Sequence, residues 1–140
     1  NPSLLCQPAG GSSKPASVES LQGREHFLKM NGREIFKNAV RVMEVAGKSL
    51  LESHGLTPED VDHVIPHQAN RRIVESLSQR LSIPMDKFYC NLEKYGNTSA
   101  ASIPIAMDEA MRGGVFKSGE IGLLVAFGAG LTWASAILRF

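Results

Sequence analysis

The chain has 140 residues, 43% hydrophobic and 21% charged, the range of a soluble globular domain able to bury a sizeable core. Its 15 basic and 14 acidic residues leave a formal net charge of +1, which excludes a global attraction to nucleic acid or to a membrane surface, so electrostatic recognition has to be local. Cys6 and Cys90 form neither a CxxC pair nor a dense framework, which points to a reducing, cytoplasmic setting without a disulfide scaffold or a metal site.

The first residues, Asn1 to Cys6, lack a basic segment followed by an apolar one, and no later run approaches the roughly 18 apolar residues of a membrane span. The chain opens without methionine in a loop-like stretch, as a piece of a longer protein would. Gln7 to Pro15 is rich in turn formers and has no apolar period, so residues 1–29 read as a loop or connector and residues 30–140 as one domain. From Met30, the residues Ile35, Phe36, Ala39, Val40, Met43, Ala46, Gly47 and Leu50 recur at three- and four-residue steps, one face of a long amphipathic helix that Gly55 stops. Thr57-Pro58-Glu59-Asp60 has a capping hydroxyl, a first-turn proline and first-turn acids, so it starts a short helix.

Asp62 to Pro66 is predicted to be a strand, and Asn70 to Ser82 a helix with Ile73, Val74, Leu77 and Leu81 on its apolar stripe. Lys87 to Cys90 reads as a short strand. Tyr95 to Ser99 has the residues of a tight turn and a helix cap, and a small-residue helix follows to Gly113-Gly114. Pro104 falls inside that helix and is expected to kink it. The apolar runs Ile121 to Phe127 and Thr132 to Phe140 around Gly128-Ala129-Gly130 predict a hairpin buried in the middle of a sheet.

His67 and Asn97 both fall at corners between elements, where side chains project into clefts. A neutral histidine offers one N–H donor and an asparagine amide two, with no charge to be buried, so together they can make an oxyanion hole for the enolate of a thioester. From these two residues alone, a capping asparagine and an incidental histidine remain the plain alternative.

Three motifs shift that balance: Ile65-Pro66-His67-Gln68-Ala69-Asn70-Arg71-Arg72-Ile73, Lys94-Tyr95-Gly96-Asn97-Thr98-Ser99-Ala100-Ala101-Ser102-Ile103-Pro104, and Ala126-Phe127-Gly128-Ala129-Gly130-Leu131-Thr132-Trp133. In this order they resemble the C-terminal signatures of the β-ketoacyl-acyl carrier protein synthase III family, from about Met30 to Phe140. The resemblance implies an α/β, thiolase-like layered fold, here its C-terminal half, with a mixed central sheet flanked by helices. It implies catalytic roles for His67 and Asn97 and a nucleophilic cysteine on a strand-to-helix corner, where a helix N-terminus lowers its pKa. Neither Cys6 nor Cys90 has that context, so the cysteine is expected in an N-terminal half outside this chain. Acyl-CoA and malonyl-acyl carrier protein are then the substrates, no cofactor is needed, and a homodimer is expected.

An acyl carrier protein is acidic and calls for a local basic patch. Arg33, Lys37 and Arg41 form a stripe on the first long helix, Arg72 and Arg80 share a face of the second, and both stripes are expected to stay solvent-exposed. By resemblance, Gln68, Ala69, Asn70, Arg71 and Arg72 bind the carrier protein, with Lys37 and Arg80 assisting. Gly32, Phe36, Asn70 and Ile73 resemble the lining of a pantetheine tunnel, in which a glycine lets the arm pass close to the backbone. Phe127 resembles a residue that steers the site, with core packing the alternative for Phe36, Ile73 and Phe127. Ala129 aligns with a backbone oxyanion donor where many members carry a glycine triplet; its methyl restricts a positive φ and hints at a shifted acyl pocket. A related condensing or acyl-transferring enzyme and a noncatalytic carrier-protein or CoA-binding module are the rival functions.

Overall fold

The computed structural model describes residues 4–140; the reading of Asn1 to Ser3 as loop lies outside them. The opening segment carries more structure than a connector. A two-residue strand β1 (Leu5–Cys6) pairs antiparallel with β2 (Lys29–Met30), and between them lies helix α1 (Val18–Gln22). Ser17 and Ser20 cap α1 reciprocally, each hydroxyl accepting the other's backbone N–H at 2.9–3.1 Å. Five residues are too few to show an apolar period, which is why composition alone suggests a loop.

Helix α2 (Gly32–Ser53) starts at Asn31, whose side chain accepts the Glu34 N–H, and ends with the Leu56 and Gly55 N–H groups donating to the Leu51 and Glu52 carbonyls. Its buried stripe includes Ile35, Ala39, Val40, Met43, Gly47 and Leu51. At Gly47 a Cβ would stand 3.2 Å from Leu81 and 3.5 Å from Leu123, so glycine lets α2 lie close to both its neighbours. The predicted turn after it is a 3-10 turn, Pro58–Asp60.

Strand β3 (His63–Pro66) leads to α3 (Arg71–Leu81), α4 (Leu92–Tyr95), α5 (Ser102–Arg112) and the hairpin β4 (Ile121–Gly128) and β5 (Thr132–Arg139). The sheet order is β3-β4-β5, with β3 parallel to β4 and β5 antiparallel to it, hence mixed. Val64, Leu123 and Val125 face α2 and α3 and are fully buried, each such side chain contributing about 1.5–3 kcal/mol of apolar burial. Ile65 alternates to the other face, where α5 packs on β3 through the buried Ser102, Ala106 and Ala110. Among the described residues no helix is long and apolar enough to cross a membrane.

Three local expectations are corrected. Lys87 to Cys90 is not a strand: a 3-10 turn, Met85–Lys87, delivers a single parallel bridge between Phe88 and Val64. Pro104 does not kink α5, because a 3-10 turn (Ser99–Ala101) precedes the helix and places Pro104 in its first turn, where an N–H has no intrahelical acceptor. Among the described strands only β4 is interior and β5 is an edge, and Thr132, Trp133, Ala134 and Ala136 are exposed on it.

Candidate active site

The parallel strand β3 ends at Pro66, and the His67 N–H continues the ladder with a bond to the Val125 carbonyl at 2.9 Å. The carboxyl ends of parallel strands are where α/β sheets open into ligand clefts. Alternation turns the His67 ring to the α5 side, where Nδ1 lies 2.7 Å from Ser102 Oγ. Half-buried there, the imidazole is held below its ordinary pKa by desolvation, which favours the neutral ring.

Asn97 stands in the loop between α4 and the 3-10 turn. Its Oδ1 accepts the Ser99 N–H at 2.9 Å, a local side-chain turn that leads into the 3-10 turn and does not cap α5. With the oxygen engaged, the two Nδ2 hydrogens form the free end of the amide, and they make no hydrogen bond among the described residues. Ser99 itself is left-handed, with φ +53°, a strained conformation of the kind that gathers at functional loops.

The loops bearing His67 and Asn97 are tied together beneath the surface. The Gln68 side chain donates to the Pro66 and Tyr89 carbonyls and accepts the Asn91 N–H. Asn91 Nδ2 in turn donates to Glu109 on α5, which also binds Lys94 on α4. Only 1% of Gln68 is exposed, so its side chain braces the site and offers nothing to a docking partner, which corrects its assignment to carrier-protein binding.

His67 and Asn97 open onto one cleft of about 920 Å³. Ala69, Asn70, Ile73, Gly32, Phe36, Phe127 and Ala129 line it as well. Ile73 and Phe127 belong to the core at the same time, and Phe36 packs against it, so substrate lining and core packing are not alternatives at these positions. Gly32 sits at the start of α2 with open space where a Cβ would be. Asn70 caps α3 by accepting the Arg72 N–H at 2.8 Å.

At Ala129 the backbone does not adopt a positive φ, so its methyl brings none of the restriction expected of it. The positive φ falls at Gly130, +138°, where a Cβ would also stand 2.9 Å from Thr132, and it is this position that requires glycine.

The basic residues gather outside the cleft. Lys37, Arg41 and Arg80 line a groove of about 400 Å³ between α2 and α3, with Phe36 shared between groove and cleft. Arg33, Arg41 and Arg72 are exposed, as the helical period predicts. Arg80 is paired with Glu44 at 2.9 Å, Arg71 with Glu75 at 3.1 Å and Lys37 with Glu34 at 3.4 Å. Arg72 makes no ion pair among the described residues, and its guanidinium stands 5.9 Å from the Phe36 ring.

The sequence reading missed Ser102, for which the signal, a serine at the mouth of a small-residue helix, is weak. It also missed the cleft wall made by Cys6, Gln7, Leu28 and Met30 from the opening segment. Cys6 stands on β1 and not in a loop, while Cys90 lies outside the cleft lining and its thiol is pushed up by burial.

Residues 51–140 match the family described as 3-oxoacyl-[acyl-carrier-protein (ACP)] synthase III C terminal. The chain is 57% identical over 136 residues to the β-ketoacyl-[acyl-carrier-protein] synthase III of Caldanaerobacter subterraneus subsp. tengcongensis, covering 97% of this chain and 41% of that relative. The crystal structure of 3-oxoacyl-[acyl-carrier-protein] synthase III from Aquifex aeolicus VF5 superposes with a TM-score of 0.80 at 51% identity, over 82% of this chain and 37% of that one. The corresponding enzyme of Pseudomonas aeruginosa PAO1 superposes with 0.85 at 34% identity, over 98% and 41%. The chain thus spans about two fifths of the length of the curated relatives it matches. With a mixed α/β sheet, a matching family model over most of its length and close likeness to these structures, the chain belongs to the 3-oxoacyl-[acyl-carrier-protein] synthase III family, in the C-terminal part of its thiolase-like fold.

Proposed function

We propose that this chain supplies the enolate-stabilising half of a β-ketoacyl-acyl carrier protein synthase III, which starts fatty acid synthesis by joining an acyl group from acyl-CoA to malonyl-acyl carrier protein. The observation that carries the reading is the convergence of His67 and Asn97 on one cleft, with the Asn97 amide hydrogens making no hydrogen bond among the described residues.

In the first half reaction a cysteine thiolate, from a segment outside this chain, attacks the acyl-CoA carbonyl and releases the CoA thiolate. A backbone N–H at Ala129 faces the oxyanion of that step. In the second, the malonyl thioester loses CO2 and the electron pair moves to its thioester oxygen as an enolate. The imidazole N–H of His67 and the Nδ2–H of Asn97 donate to that oxygen, and each such donor is worth about 2.7–4 kcal/mol in the transition state. The enolate carbon then attacks the acyl-cysteine carbonyl; a C–C bond forms, the C–S bond breaks and the cysteine thiolate is regenerated. No metal or prosthetic group enters this scheme. Arg72, beside the cleft and free of a carboxylate, is the first contact we assign to an acidic carrier protein, with Lys37 and Arg80 on the adjoining groove. Membership of the family supports a cytoplasmic homodimer with neither a nucleic acid nor a membrane partner.

The test is malonyl-thioester decarboxylation by the natural protein that contains this sequence. His67→Ala and Asn97→Ala are each expected to lower it about a hundredfold or more while cysteine acylation by acyl-CoA stays near the parent rate. Normal decarboxylation with lost acylation removes the assignment. Cys6→Ala is expected to leave acylation intact, and its loss would move the nucleophile into this chain.

A further inference from the structure

We propose that Ser102 is a positioning residue that selects the tautomer of His67, its hydroxyl donating to Nδ1 so that Nε2–H is the donor offered to the cleft. This deepens the reading of His67 as an enolate stabiliser and rests on it. Ser102 is the first residue of α5 and is 2% exposed. Among the described residues its Oγ has two hydrogen-bond partners, the Gln68 backbone N–H at 3.2 Å and His67 Nδ1 at 2.7 Å.

A hydroxyl carries one proton and two acceptor lone pairs. The Gln68 amide can only donate, so it occupies a lone pair. The hydroxyl proton then needs an acceptor, and Nδ1 is the one in reach. Were Nδ1 itself protonated, both lone pairs of the oxygen would be taken and the hydroxyl hydrogen would be left without a protein partner at a residue only 2% exposed, an arrangement buried polar groups avoid. An accepting Nδ1 in a neutral ring puts the hydrogen on Nε2.

The opposite tautomer would turn the Nε2 lone pair toward the enolate and repel it. Desolvation acts in the same sense by favouring the neutral ring over the imidazolium, in which both nitrogens donate. The hydroxyl is also rigidly placed, since α5 is anchored by the buried Ala106 and Ala110 one and two turns further on. One oxygen therefore fixes both the ring of residue 67 and the peptide that follows it.

The experiment is long-range ¹H–¹⁵N correlation on the natural protein containing this sequence, with ¹⁵N-labelled histidine and the His67 signals identified by their absence in His67→Ala. In the parent protein Nε2 is expected to show a protonated shift and Nδ1 an acceptor shift. Ser102→Ala is expected to show a measurable Nδ1–H population. It should also lose about ten- to a hundredfold in decarboxylation turnover, the scale known for the outer partners of metal-bound histidines, with KM changed less than about twofold. Ser102→Thr, which keeps the hydroxyl, restores the parent tautomer. A protonated Nδ1 in the parent protein overturns the proposal, and this measurement stands even if Ser102→Ala fails to fold. An unchanged tautomer in Ser102→Ala overturns it as well, because any loss of turnover is then packing. Decarboxylation that survives His67→Ala overturns the functional reading itself, whereas Nδ1 protonation alongside a dead His67→Ala overturns only the part given to Ser102.

Discussion

Gln68 and His67 are adjacent in sequence, yet one is sealed inside and the other opens on a cleft, because strand alternation continues past the end of β3. Replacing Gln68 by leucine keeps the volume but strands the Pro66 and Tyr89 carbonyls and the Asn91 N–H, at about 1–3 kcal/mol for each buried group left unpaired. Gln68→Leu is therefore expected to lower unfolding stability by about 3 kcal/mol or more in denaturant titration and to slow CoA and carrier-protein substrates alike. A selective loss of carrier-protein activity would return Gln68 to the docking surface. His67 carries a pH signature. Its folded pKa lies below the ordinary 6.5, so between the two values the unfolded chain binds more protons than the native one. The stability this contributes is present above that ordinary value and is lost as pH falls through the folded pKa. On going from about pH 7 to about pH 5, the parent protein should lose more stability than His67→Gln, which cannot titrate there, as the difference in urea midpoints would record.

At the scale of elements, the helices α2 and α3 carry opposite duties on their two faces. Their apolar stripes build the core, and their basic faces flank the groove between them. Because Arg72 has no carboxylate to leave, it is freer to engage a partner than Arg71, Arg80 or Lys37. Arg72→Glu is expected to raise KM for carrier-protein substrates about tenfold or more, with CoA substrates changed less than about twofold and the difference shrinking at high salt. Equal effects on both substrates would remove the docking role. These long helices were legible in the sequence because Ile35, Ala39, Met43 and Gly47, like Ile73, Val74, Leu77 and Leu81, repeat the 3.6-residue period over several turns. Several elements of one or two turns were not: Lys87 to Cys90 reads as a strand where a 3-10 turn ends in a single bridge, α1 reads as a loop, and the 3-10 turn that moves Pro104 into a first turn leaves no mark on composition. In the site, His67 and Asn97 became legible only through their motifs. Ser102 stayed hidden because its partner lies 35 positions back, and no local pattern announces a contact made by folding.

For the whole molecule, the outstanding feature is an edge strand with no second neighbour among the described residues. β5 has one neighbour among the described strands, its residues Thr132, Trp133, Ala134 and Ala136 are exposed, and Leu28 and Met30 at the cleft are 68% and 63% exposed. An apolar strand edge of this kind pairs readily with other chains. These 140 residues expressed alone are expected to self-associate, with light scattering rising steeply with concentration, and Trp133→Lys should delay it. A monodisperse monomer at high concentration would mean that the edge is protected by something other than pairing. Trp133 has a further use. It is the single tryptophan of the chain, 54% exposed, and stands in the cleft wall with His67 and Asn97. Anything that fills the cleft has to displace water from the indole, so these residues carry an unlabelled optical gauge of occupancy at the place where the chemistry is proposed to occur.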